Sequence, residues 1–291
     1  MTILINTPNG NIGRPLAEAL LAAGESLVLI QRDPSKVADL AARGARVVAG
    51  SIDDASTLAT AFEGVDAVFW LTPPTYRPDY AEWTSGAAAL AAQAAAKAGV
   101  QRAVVLSSVG AHNDGNGPIS LMRHVEEAFR AKLPNVLALR PAYFMENFAR
   151  DLGSIRSDGA FYMTAPADLP IPLVATRDIA AVAEQELRAT WSGHRIRGIH
   201  GPADITMTEV AEVLTGVLER PVSFVPVSVD AALDGMRAAG APEFVVTLYR
   251  GMLEGFQNGR AAPAEARDAQ TTTPTSFATF AREVLRPAFA S

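Results

Sequence analysis

Along the first half of the chain, short apolar runs alternate with stretches in which apolar residues recur every three to four positions. The runs are Ile3–Asn6, Leu27–Ile30, Arg46–Ala49, Ala67–Leu71, Ala103–Leu106 and Val136–Leu139. They are rich in Val, Ile and Leu and lack in–out alternation, which predicts strands covered on both faces. Helix patterns fill the gaps at Gly13–Ala23, Pro34–Arg43, Ala55–Phe62, Tyr80–Ala98 and Ser120–Lys132. Gly24, Gly44, Gly64 and Gly99 follow four of them, where a helix C-terminus favours glycine. Strand and helix alternating at this spacing predict an α/β fold with a doubly wound parallel sheet of the Rossmann type.

The rhythm weakens after Pro141. Gly153, Gly159, Pro166, Pro170 and Pro172 mark a loop-rich stretch. Further on, helices are expected at Arg177–Ala189, Thr208–Leu218, up to Phe256 and at Ser276–Leu285, with strands at Arg195–His200 and Val222–Val227. Gln270–Thr275 reads as a loop leading into a helix cap. This half repeats nothing in the first. The expectation is a nucleotide-binding domain over residues 1–150 and a smaller α+β lobe over 151–291, partly interleaved with it and capping the C-terminal edge of the sheet.

Composition narrows the partners. Among 291 residues the net charge is −6 and no dense Lys/Arg run occurs, which argues against nucleic acid and against a polybasic membrane patch. The alanine-rich run Gly86–Ala98 is too short to span a bilayer, which takes roughly 20 apolar residues, and reads as a buried crossover helix. Cysteine is absent, so disulfides, thiolate metal sites and thiol nucleophiles are excluded. His112, His194 and His200 show no ligand spacing, and no metal is expected. The chain opens as a strand without a basic, cleavable leader, so a cytoplasmic location is expected. Mixed helical surfaces leave a homodimer open without marking its interface.

The sharpest local signal is Asn6-Thr-Pro-Asn-Gly-Asn-Ile-Gly13, directly after the first strand and opening the first helix. A helix start offers unpaired N–H groups and a positive dipole end to a diphosphate. Gly10 permits close approach of the ligand, and Gly13 permits tight packing of helix on strand. Asn9 and Asn11 tolerate unusual backbone angles, Ile12 completes the turn, and Thr7 stands where a first glycine is expected. A plain strand–helix turn that binds nothing is the competing reading. At the end of the second strand, where a ribose is read, stands Gln31-Arg-Asp-Pro-Ser-Lys36. No acidic residue closes the strand to grip a 2′-hydroxyl. Arg32 as a planar fork and Lys36 as a point charge suit a 2′-phosphate, so NADP(H) is expected in preference to NAD(H). Lys36 as a solvated helix-start residue is the alternative. Asp53-Asp54 reads as a helix N-cap rather than a catalytic carboxylate pair.

These residues, with Gly50-Ser-Ile-Asp-Asp54, Trp70-Leu-Thr-Pro-Pro74, Leu106-Ser-Ser-Val-Gly110 and Leu139-Arg-Pro-Ala-Tyr-Phe-Met-Glu-Asn-Phe148, resemble the NmrA-like group of atypical short-chain dehydrogenases. The likeness continues through Val174–Ile179, Arg220–Val222 and Thr275–Arg282, and so spans essentially the whole chain. The resemblance implies that Ser51 and Ile52 lie by the adenine and that Leu71, Thr72 and Pro73 pass beneath the nicotinamide ribose. It places Ser107 and Ser108 near the nicotinamide, with Pro141, Tyr143 and Phe144 as the wall against the ring. Ser107 and Ser108 read equally well as strand caps.

Ordinary short-chain dehydrogenases carry a Tyr and a Lys four residues apart on one helix; Ile119–Phe129 contains neither. The candidates for catalysis are Arg123, which pairs with Glu127 at i, i+4, its neighbour His124, and Tyr143. A helix salt bridge, a surface histidine and a packed aromatic are their respective structural alternatives. Trp83, Tyr143, Phe144, Phe148, Phe161, Phe244 and Tyr249 could line an apolar pocket or could be core. Three functions follow. The first is an NADPH-dependent oxidoreductase passing hydride to a small apolar carbonyl, quinone or enone. The second is a non-catalytic NADP(H) sensor acting through a protein partner, favoured by the missing Tyr–Lys pair. The third, motivated by Thr7, is a scaffold that binds no dinucleotide.

Overall fold

A computed structural model describes residues 1–290. The apolar runs of the first half form strands β1 (Thr2–Ile5), β2 (Ser26–Gln31), β3 (Arg46–Ala49), β4 (Ala67–Leu71), β5 (Arg102–Leu106) and β6 (Asn135–Pro141). Helices α1 (Gly13–Ala22), α2 (Ala38–Ala42), α3 (Ala55–Ala61), α4 (Tyr80–Lys97) and α5 (Pro118–Arg130) alternate with them. The pattern at Pro34–Arg43 splits into a short 3₁₀ turn, Pro34–Val37, and α2. Pro34 lacks an N–H and starts the tight turn, which Asp33 caps through the Ser35 amide.

One sheet holds seven strands in the order His194–Ile199, β6, β5, β4, β1, β2, β3. β1 pairs in parallel with both β2 and β4, and β4–β5 and β5–β6 continue in parallel. The chain therefore builds outward from β1 in one direction and then, starting at β4, in the other. Such a reversal opens a crevice at the C-terminal ends of the two central strands. The sheet carries a Rossmann-like α/β fold, as the sequence pattern predicts. On one face Leu4, Val28, Val68 and Trp70 pack against Ala88, Ala91, Ala92 and Ala95 of α4 and Val125 and Phe129 of α5. Alanine at these spacings lets α4 lie close to the sheet, which accounts for its richness in alanine. No helix among the described residues is long and apolar enough to cross a membrane.

By their contacts the residues fall into two compact units. The first comprises Met1–Ser108, Leu121–Arg140 and Ile179–Arg197, and so takes in most of the helix Thr176–Arg188 and of the seventh strand. The second comprises Val109–Ser120, Pro141–Asp178 and Gly198–Ser291. Within it, Tyr143–Phe144 and Asp204–Ile205 flank Ile171–Val174, and Ser223–Pro226 pairs in parallel with Ala160–Met163. Its core joins Phe148, Phe161 and Phe277 to Val210 and Leu214 of the helix Met207–Leu218, which starts at a Thr206/Glu209 capping box. The last helix differs from the expected Ser276–Leu285. It begins at Phe277, widens into a π-turn over Ala281–Leu285 and continues as Arg286–Ala290. The wider turn accommodates Pro287, which can donate no hydrogen bond to the preceding turn.

Candidate functional site

The turn between β1 and α1 exposes Asn9, Gly10 and Asn11. The Gly10 amide donates to the Thr7 carbonyl at 3.2 Å, and the Arg14 amide to the Gly10 carbonyl at 3.0 Å. Between them, the amides of Asn11, Ile12 and Gly13 find no acceptor among the described residues. These are the orphan donors of a helix start, at its positive dipole end. The two glycines do different work. A Cβ on Gly13 would sit 1.9 Å from the Thr7 carbonyl oxygen, so the protein itself requires glycine there. A Cβ on Gly10 would meet Thr7 at an ordinary 3.6 Å, so nothing internal forbids a side chain. Thr7 replaces the first glycine without strain, because its backbone needs no positive φ. Its hydroxyl oxygen is buried and has no hydrogen-bond partner. Asn9 and Asn11 are exposed on the outer side of the turn, and Ile12 is buried.

Asn6, which no local signal marks, fixes this corner. Its side chain donates to the Leu71 carbonyl at 2.7 Å and accepts from the Leu71 amide at 2.9 Å. That pair of hydrogen bonds ties the ends of β1 and β4 where the strand order reverses. Beyond Leu71, buried Thr72 accepts from the Trp70 indole at 3.1 Å, and Pro73 follows half-buried.

At the end of β2, Arg32 and Lys36 are exposed, and neither side chain makes a hydrogen bond or ion pair among the described residues. Nearby carboxylates are otherwise engaged. Asp33 accepts from the Ser35 hydroxyl at 2.7 Å and the Ser35 amide at 3.1 Å, which together hold its carboxyl below the usual range. Asp39 takes both arms of Arg14, at 2.8 and 3.0 Å. At the end of β3, Ile52 turns into the core, while Ser51 donates its hydroxyl to Asp53. Asp53 also accepts from Trp83 Nε1 at 2.7 Å, with Arg77 stacked 5.2 Å over the Trp83 ring. Asp54 alone caps α3, through the Ser56 and Thr57 amides.

The end of β5 holds the most elaborate side-chain cluster. The Ser107 amide is pinned to the Leu139 carbonyl at 2.8 Å, and its hydroxyl donates to Glu126 Oε1 at 2.5 Å. Glu126, on α5, is 0% exposed. Arg140 donates to both its oxygens, from Nε at 2.8 Å and Nη2 at 2.9 Å, and Arg130 lies 3.3 Å away. Ser108 follows, half-buried. Helical spacing pairs Arg123 with Glu127, whereas the buried acid is Glu126. A signal was there: Glu126 falls at helical spacing among Met122, Val125 and Phe129, on the apolar face of α5.

Arg123 and His124 lie on the other side of that helix. Arg123 Nε is 3.8 Å from Glu127, and His124 Nδ1 is 3.6 Å from it, with the histidine side chain 49% exposed. This is the geometry of an ordinary helix-surface cluster.

In the second unit, Tyr143 and Phe144 form a two-residue strand against Leu173 and Val174, and the Pro141 carbonyl accepts from the Val109 amide. Half-buried Tyr143 meets Phe148 and Phe256 edge-on at 5.8 and 5.9 Å. Desolvation, reinforced by the nearby Asp151 carboxylate, raises the phenol well above its ordinary value, so it keeps its proton. Asp151 is likewise raised by burial, up to about 6. Sequence gave no sign of it, since an Asp beside Arg150 looks like a solvent-facing pair. Phe148 and Phe161 are core, at 2% and 1% exposure.

The structure thus brings Thr7 to Gly13, Arg32, Ser51, Leu71 to Pro73, and Ser107 with Ser108 to one edge of one sheet, at the C-terminal ends of β1 to β5. Open amides, an unpartnered buried hydroxyl and two unpaired cations form a donor set that fits an extended, diphosphate-bearing dinucleotide.

Comparison with known proteins gives matches in sequence and in fold. The model of the NmrA-like family matches residues 1–250. An NAD(P)H azoreductase of Xenophilus azovorans is 32% identical over 244 residues, covering 83% of this chain and 82% of that protein. A (4-alkanoyl-5-oxo-2,5-dihydrofuran-3-yl)methyl phosphate reductase of Streptomyces griseus is 34% identical over 245 residues, covering 82% of each. Among solved structures, the triphenylmethane reductase of Citrobacter sp. complexed with NADP(H) shares the fold, with a TM-score of 0.80 at 22% identity over 97% of this chain and 100% of that one. The NADPH-dependent quinone oxidoreductase of Escherichia coli complexed with NADPH does so with a TM-score of 0.82 at 20% identity, over 97% and 99%.

Proposed function

The chain belongs to the NmrA-like family, and on that premise we propose that it is an NADPH-dependent reductase of a small, apolar carbonyl, quinone or enone compound. The observation that carries the reading is the run of unpaired amides at Asn11, Ile12 and Gly13 beside an uncrowded Gly10. Those amides would hold the diphosphate, with the Thr7 hydroxyl as a further donor and Asn9 at the rim. Arg32 and Lys36 would take the 2′-phosphate, the guanidinium as a fork and the ammonium as a point charge. Ser51 and the backbone of Ile52 would flank the adenine, and Leu71, Thr72 and Pro73 the second ribose. NADPH, when bound, supplies the hydride. Azoreductase, quinone reductase, triphenylmethane reductase and furanone phosphate reductase relatives support a small conjugated acceptor.

Fluorescence titration with NADPH and NADH tests the cofactor assignment. Arg32→Ala is expected to weaken NADPH about 10- to 100-fold, the worth of a charge-assisted hydrogen bond or two, while NADH is unchanged. Equal weakening of both would remove the 2′-phosphate from this corner. Gly10→Val should lose both nucleotides with an unchanged Tm, because only a ligand crowds that position; retained affinity would discard the diphosphate assignment. Steady oxidation of NADPH by members of a quinone panel supports the reductase. Tight binding without turnover on any acceptor would replace it with a redox sensor.

A further inference from the structure

Ser107 is the first polar side chain after the end of β5, two strand spacings, roughly 10 Å, from the diphosphate turn of β1. With the adenine half directed toward β2 and β3, the other half of a dinucleotide crosses the ends of β4 and β5. A serine there would ordinarily be taken as a donor to a substrate oxygen. The hydrogen bonds in this protein do not allow it. Arg140 has only donors, and it addresses both oxygens of Glu126, so both are acceptors. The Ser107 hydroxyl proton must therefore point at Glu126 Oε1, 2.5 Å away. Turning it outward would leave a fully buried carboxylate short of a partner, while the Leu139 carbonyl already holds the Ser107 backbone in place. With its proton committed to Glu126, the Ser107 hydroxyl has only lone pairs left to offer a ligand.

We propose that Ser107 is locked as a hydrogen-bond acceptor that reads the carboxamide N–H of the nicotinamide, with Glu126 as the positioning residue that fixes its polarity. The proposal rests on the dinucleotide reading above and deepens it. It also removes Ser107 from the groups able to polarise a substrate carbonyl, and it makes the site selective for a cofactor ring bearing an N–H donor.

The test compares binding of NADP⁺ with that of its 3-acetylpyridine analogue, in which a methyl group replaces the carboxamide NH₂. The wild-type protein is expected to prefer NADP⁺ by about tenfold, the effect of one unmet hydrogen bond. Ser107→Ala should bring the ratio of the two affinities close to one. Glu126→Gln, which permits the serine proton to turn outward, should lower the ratio likewise; damage to the fold alone would weaken both ligands together and leave their ratio intact. A ratio unchanged in Ser107→Ala, a variant that leaves the Glu126–Arg140 pair in place, would overturn the proposal whatever the fate of Glu126→Gln. Equal wild-type affinity for the two nucleotides would overturn it too, with the dinucleotide reading left standing. Binding of neither would bring down that reading and this one together.

Discussion

Glu126 and Asp151 are both carboxyl groups withdrawn from water, and the protein treats them in opposite ways. Glu126 is fully buried yet faces two guanidinium groups and a hydroxyl, which supply charge and donors in place of lost water. Asp151 sits beside Tyr143 in the aromatic region of the second unit, where desolvation outweighs the help of Arg150 and lifts its carboxyl up to about 6. The first arrangement fixes geometry: Arg140 and the Ser107 hydroxyl donate to Glu126 in set directions. The second holds its proton to a higher pH than an ordinary aspartate does. Burial alone does not decide the role of a carboxylate; the partners that come with it do.

The contrast can be broken by changing partners. The largest effect is expected from Glu126→Ala, which leaves Arg140 buried without its counter-charge and should cost about 3–5 kcal/mol in urea unfolding. Replacing both members, Glu126→Met with Arg140→Met, removes the unpaired charge and should return at least half of that loss. A double variant no more stable than the single one would show that the pair contributes shape rather than charge balance. Smaller, and of opposite sign, is Asp151→Asn. The native carboxyl holds its proton up to about 6, whereas the unfolded one releases it near an ordinary aspartate value. Between these limits the native state binds more protons, so stability is full at low pH and declines as pH rises through about 4 to 6. Asp151→Asn should abolish that decline and stabilise the protein at pH 7 by about 1–2 kcal/mol, with little effect at pH 4. A flat stability profile in the wild type would remove the contrast from this side.

Much of the first unit was legible because its signals are local. The strand at Leu27–Ile30 and the turn at Gly10 and Gly13 are read from neighbours in sequence, since a parallel strand must be apolar on both faces and a helix start must expose its amides. Arg32 and Lys36 were legible for the same reason: what matters about them is their place at the end of β2, and the structure leaves both unpaired. Asn6 and Arg140 were not, because their partners, Leu71 and Glu126, lie 65 and 14 positions away. The pairing of Arg123 and His124 with Glu127 follows simply from helical spacing, but the identity of the inward-facing acid required the packing of α5 on the sheet.

Sequence by itself therefore determined the succession of strands and helices along the chain, the family, and the corner where amides meet solvent, because period and glycine placement act through the nearest turn of backbone, whereas the side-by-side order of the strands was left to tertiary structure. Tertiary structure alone decided that His194–Ile199 flanks β6, that Ser107 gives its proton to Glu126, and that Asp151 loses enough water to hold its own. Strand order, proton direction and desolvation depend on which distant groups arrive beside a residue, and no spacing along the chain encodes that arrival.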